Sequence, residues 1–154
     1  MIIRKATEND VSQITQLFYD TINIVNQKDY SKEQIATWSG NSQNIDFWLD
    51  CIKSQFFIVA EKNNIIISFA SLDKMACVDF MYVHKDFQNF GVGTKLLEVL
   101  ESEAYEDSFN GIWSDVSITA KPFFFKKGFK EKEIYTKKVQ DIEFENTIMI
   151  KSFE

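Results

Sequence analysis

A chain of 154 residues fits one domain spanning 1–154, long enough to bury a sizeable core. With 45% apolar and 15% aromatic residues it is not a disordered segment. A formal charge of −6 without a stripe of clustered Lys and Arg argues against nucleic acid as a partner. The longest apolar runs, such as FFIVA at 56–60, are far too short to span a bilayer, and MIIRKATEND turns polar at once, unlike a signal peptide. Cys51 and Cys77 form neither a disulfide framework nor a metal-ligand spacing, so the expectation is a cytoplasmic protein with reduced core cysteines, no bound metal and no membrane partner.

MIIRKAT is short and β-like. TENDVSQITQLFYDTINIV then switches to helical period, with Val11, Ile14, Phe18, Ile22 and Val25 on one face and Thr7 as N-cap. QKDYSKEQIATWSG reads as a loop and a short helix that opens at Ser31 and stops at Gly40. NIDFWLDCIKSQ predicts a further short helix. FFIVAEKNNIIISFASLD predicts two buried strands around an Asn63-Asn64 turn, because Asn tolerates positive φ, and MACVDFMYVH a third. The helix over 91–107 turns Val92, Leu96, Leu100 and Ala104 to one side. After Asn110-Gly111 comes the strand IWSDVSI, then a short helix in TAKPFFFKKG with Pro122 in its first turn, where a missing N–H is harmless. FKEKEIYTKKV and IEFENTIMIKSF are closing strands, the latter a possible edge for a homodimer. The sum is one mixed α/β domain, with a strand–helix–strand order around 78–118 that predicts a parallel neighbour in its sheet.

HKDFQNFGVGTKLLEVLE places two of only five glycines within three positions, where a strand gives way to a helix. Free amides at a helix start favour an anion, and glycine removes the Cβ that would obstruct its approach. Gln88 to Thr94 can therefore cradle a phosphate or diphosphate; the structural alternative is a tight turn that simply needs glycine. A P-loop fails on spacing, since one residue separates the glycines, and a dinucleotide fingerprint fails because Leu96 stands where its third glycine belongs.

Gln88-x-x-Gly91-x-Gly93 after a strand ending in Tyr82-Val83 resembles the [QR]-x-x-G-x-[GA] acyl-CoA signature of the GNAT N-acetyltransferase superfamily. SITAKPFFFKKGF at 117–129 resembles the family's later block, in the right order and at the right separation. DYSKEQIATW, ITAKPFF and NTIMIK are similar to segments of a largely uncharacterised bacterial subgroup. The resemblance implies the GNAT fold: a mixed central sheet of six or seven strands with flanking helices. It also implies acetyl-CoA as co-substrate and a primary amine of a small molecule or peptide as acceptor. It gives the backbone of Gln88, Asn89, Phe90, Gly91, Val92, Gly93 and Thr94 to the diphosphate. Met81, Tyr82 and Val83 fall to the pantetheine amides, Ser117 to pantetheine from the neighbouring strand (many relatives have Asn there), and Phe123 and Phe124 to the flanks of the cofactor.

Acetyl transfer needs a neutral amine, a home for the oxyanion and a proton for the leaving thiolate. Asp79 is the candidate base, expected on the face of Met81 and Val83; the alternative is a carboxylate hydrogen-bonded to a neighbouring loop. His84, the one histidine, sits at the strand end and is a weaker candidate. Phe124 departs from the Tyr that many relatives use as acid, so Tyr30 or a water would have to donate, or the thiolate leave unassisted. Tyr30 and Trp38 are expected to line an acceptor pocket, and Trp48 to close the core. Two rival readings remain: a non-catalytic acyl-CoA sensor, and an interaction module in which the glycine turn is only structural.

Overall fold

The computed structural model describes residues 1–154. Asn63 and Asn64 adopt φ of 52° and 64°, the pair of left-handed residues that a two-residue hairpin needs, and they join β2 (Phe56–Lys62) to β3 (Ile65–Leu72). Gln140 and Asp141, at φ of 50° and 66°, do the same between β6 (Lys130–Val139) and β7 (Ile142–Ser152). The other strands are β1 (Ile2–Lys5), β4 (Val78–Val83) and β5 (Gly111–Ser117). The helices are α1 (Val11–Ile24), α2 (Lys32–Ser39), α3 (Ile45–Ser54), α4 (Val92–Glu106) and α5 (Lys121–Lys126).

Local chemistry explains the helix ends. Ser31 and Gln34 form a capping box, the Gln34 N–H donating to Ser31 Oγ at 3.1 Å and the Ser31 N–H to Gln34 Oε1 at 2.8 Å. Thr7 opens a 3₁₀ turn over Glu8–Asp10 before α1 begins, one turn later than its capping role predicts. The turn is fixed by Asp10, which accepts from Arg4 Nη1 and Nη2 at 2.8 and 2.9 Å and from the Thr7 N–H at 2.8 Å. The Arg4 guanidinium holds the Asp10 carboxyl below its usual range.

The seven strands form two antiparallel sheets, β1-β2-β3-β4 and β5-β7-β6. The parallel neighbour expected between residues 78 and 118 is reduced to a single bridge, Cys77 to Trp113. Around it the Trp113 N–H donates to Ala76 O at 3.1 Å, and Ser114 Oγ to Val78 O at 2.7 Å. Past that point no ladder joins β4 to β5.

Both faces of the first sheet are covered. Ile58, Ala60, Leu96, Leu100 and Phe129 belong to one buried cluster under α4, and Phe18, Trp48, Phe57, Val59 and Phe69 to another under α1 and α3. Alternate residues of β2 thus enter different cores, which is why FFIVA reads as an unbroken apolar run. Trp48 is a core residue, fully buried, with its indole N–H donating to Asn41 O at 3.0 Å. No helix is long and apolar enough to cross a membrane.

Candidate functional site

Where β4 and β5 separate, a cleft of about 830 Å³ opens. Asp79, Met81, Tyr82, Val83 and Gln88 line one side, and Asp115, Ser117, Phe123 and Phe124 the other. Tyr30, Trp38 and Phe144 line it as well. The His84 N–H donates to Ile67 O at 2.8 Å, which sets the alternation of the β3–β4 ladder. The amides of Phe80 and Tyr82 then face β3, and those of Met81 and Val83 face away from it, toward the gap. Gln88 Nε2 donates to Val83 O and so ties the start of the glycine segment to the end of β4.

Asp79 does not share a face with Met81 and Val83. Ser71 pairs with Phe80 and Leu72 with Val78, so Asp79 stands in a bulge with no partner on β3, and the alternation that predicted its direction is broken there. It is exposed to the cleft and accepts from Gln55 Nε2 at 2.8 Å. Desolvation by the surrounding protein pushes its carboxyl above the usual value, against the Gln55 hydrogen bond and the charge of Lys137.

The two glycines serve different ends. Gly91 is the N-cap of α4 at φ 80°, in the left-handed region, and a Cβ there would meet nothing within 4 Å. A Cβ on Gly93 would lie 3.3 Å from Phe123 Cε1 and 3.4 Å from Val83 Cγ2, so this glycine admits the ring of Phe123 over the first turn of α4. Asn89 also has positive φ, 65°. None of the turn, loop or cap hydrogen bonds is donated by the amides of Gln88 to Thr94; the first comes from Lys95, to Gly91 O at 3.1 Å. Phe90 projects outward, 75% exposed, whereas the Val92 side chain enters the core. Asn89 to Thr94 lie outside the cleft lining, at the start of α4.

Tyr30, 9% exposed, accepts the Ile118 N–H at its hydroxyl oxygen at 2.8 Å, and burial pushes its pKa up. Its neighbour Asp29 accepts from Thr119 Oγ1 at 2.7 Å, so the segment leading into α2 is fastened to the β5–α5 loop. Tyr30 meets Trp38 edge-on with ring centroids 5.2 Å apart, and Phe144 at 6.1 Å completes the aromatic wall. Ser117 Oγ accepts the Ala120 N–H at 3.2 Å. Phe124 is 3% exposed, packed edge-on against Phe123 and Phe129, and Tyr82 packs on Phe18 and Phe69. His84 lies outside the lining and uses Nδ1 to accept the Asp86 N–H at 3.0 Å.

Sequence reasoning overlooked Asp115, Tyr135, Asn146 and Phe144. Asp115 on β5 accepts from Tyr135 on β6 through its hydroxyl, and from Asn146 Nδ2 on β7 at 2.9 Å. A lone carboxylate in the apolar strand IWSDVSI was the available signal, the same one that singled out Asp79.

Residues 26–148 match the sequence model of the Acetyltransferase (GNAT) domain. The chain is 28% identical over 128 residues, 83% of its own length and 80% of the other's, to YafP of Escherichia coli K12, described as an uncharacterized N-acetyltransferase. A GCN5-related N-acetyltransferase structure from Rhodopseudomonas palustris superposes with a TM-score of 0.95 at 28% identity, covering 99% of this chain and 95% of that one. The PaiA N-acetyltransferase of Thermoplasma acidophilum, solved in complex with coenzyme A, superposes at 0.83 with 19% identity, covering 99% and 98%. A strand pair that splits beside a glycine turn, on this fold and with these relatives, makes the chain a member of the GNAT acetyltransferase family.

Proposed function

We propose that this single domain is a cytoplasmic acetyl-CoA-dependent N-acetyltransferase whose acceptor is a primary amine of a small molecule or peptide. One observation carries the reading: free amides around Gly91 adjoin the open edge of β4, and the cleft beside that edge contains Asp79. The residues fit coenzyme A. Open space at Gly91 suits the oxygens of a diphosphate, and the outward amides of Met81 and Val83 suit an amide-bearing chain. Acetyl-CoA, when bound, would supply the activated thioester. The reaction forms a C–N bond and breaks a C–S bond, moving one proton from nitrogen to sulfur overall, to give an acetamide and the free thiol.

In this reading Asp79 takes the amine's proton. Its raised pKa makes it a stronger base than an ordinary aspartate. Phe124 carries no proton to give, but Tyr30 keeps its own O–H, since its oxygen serves as acceptor for Ile118. Trp38 and Tyr30 hold the body of the acceptor. The buried ring of Phe124 favours a second reading, a non-catalytic acyl-CoA sensor. Calorimetric titration with coenzyme A, paired with thiol release from acetyl-CoA across an amine panel, separates the two. The enzyme reading expects saturable binding and amine-dependent thiol release. Binding without release on any amine favours the sensor, and absence of binding overturns both.

A further inference from the structure

Three charged side chains line the cleft: Asp79, Asp115 and Lys137. The acetyl-transfer reading gives Asp79 a task and leaves Asp115 and Lys137 without one. The Asp115 carboxylate is fixed from two further strands, by the Tyr135 hydroxyl and by Asn146 Nδ2 at 2.9 Å. Both partners are neutral, and no Lys or Arg pairs with it, so its direction is set while its negative charge stays uncompensated. Lys137 makes no ion pair either, and the charge on the lining sums to an excess of one carboxylate. Thr21 of α1, 5% exposed and also on the lining, has a hydroxyl with no partner in the protein. Tyr30, Trp38 and Phe144 add an aromatic wall whose ring faces accommodate methylenes and cations.

We infer that Asp115, oriented by Tyr135 and Asn146, anchors a second cationic group of the acceptor, so that this cleft selects diamines and other amines bearing a distant positive charge. The inference rests on the acetyltransferase reading and deepens it. Its physical reason is a conflict at the reacting nitrogen. An amine held by a carboxylate is held best as the ammonium, which cannot attack. A second cation at Asp115 supplies binding energy from a part of the molecule that does not react, leaving Asp79 free to take the proton.

The test compares three acceptors of equal chain length with acetyl-CoA: a linear diamine, the corresponding monoamine and the corresponding ω-amino acid. Thiol release should give the diamine a kcat/KM about tenfold or more above the monoamine, expressed in KM, with the amino acid poorest. Asp115→Asn should bring the diamine-to-monoamine ratio close to one, while Tyr135→Phe, which keeps the charge but frees its direction, should lower it partway. Equal efficiency with the monoamine, or a preference for the amino acid that would give the cleft to Lys137, overturns the inference alone. No release from any amine overturns the enzyme reading and this inference with it. The wild-type series decides the matter even if Asp115→Asn does not fold.

Discussion

Gly91 and Gly93 should respond unequally to the same added methyl. At Gly91, with φ of 80°, an alanine is forced into the left-handed region at a cost of about 1–2 kcal/mol, and no atom within 4 Å adds a clash. For a domain of this size that lowers Tm by roughly 2–8 °C. At Gly93, in the first turn of α4, alanine gains some part of the roughly 1 kcal/mol of helix propensity that it gains in a helix interior. That gain is set against contacts of 3.3 and 3.4 Å to the ends of Phe123 and Val83, which yield by a few tenths of an ångström, so stability changes little. Coenzyme A binding should follow the same order. Gly91→Val fills the open space before the free amides, and losing even one charge-assisted hydrogen bond, about 1.5–3 kcal/mol, weakens binding about 10- to 150-fold. Gly93→Ala, acting only through the Phe123 ring, should weaken it by less. Thermal melts and calorimetric titrations on both variants decide it. A Gly91→Val protein that is folded and binds coenzyme A with wild-type affinity would refute the cradle.

Asp79→Asn should lower kcat most near neutral pH, and an unchanged pH–rate profile would return Asp79 to a structural role. The same variant tests the electrostatics. A folded pKa above the ordinary 3.8 means that ionising Asp79 costs the folded state. Its favourable share of stability is complete below that value and lost as pH rises through the folded pKa. The Asn variant should therefore match or exceed wild-type stability at pH 7, with the difference closing in acid, as denaturant melts across pH would register. Phe124→Tyr puts a hydroxyl on a ring that is 3% exposed yet lines the cleft, so turnover should be kept or raised with only a small loss in Tm; a collapse of turnover in a folded variant would mean that the shape of this ring matters more than a missing proton donor.

Much of the fold was legible because its signals are local. Ser31 opens α2, and Asn63-Asn64 closes the first hairpin, because each residue answers a backbone need within four positions. The Gly91 turn was legible for the same reason. Gly40 ends α2 in ordinary right-handed backbone at φ −60°, and the chain continues there as a 3₁₀ turn. What escaped depends on partners far along the chain. The bulge at Asp79 exists only in the register of β4 against β3, so strict alternation misdirected that side chain. Asp115 gains meaning only when β6 and β7 bring Tyr135 and Asn146 beside it. The neighbouring rings of Phe123 and Phe124 were both expected at the flanks of the cofactor. On a helix they diverge, so one covers Gly93 and the other enters the core.

The solitary Cys77–Trp113 bridge works as a rivet. It fastens the two blades of the sheet at one end and leaves the other end unfastened. From Val78 to Val83, β4 forms an arm of about 16 Å, so swinging it by about 5° spreads the tips by about 1.4 Å. A swing that small would leave the bridge in place and still widen the cleft by nearly the width of an atom at the tips.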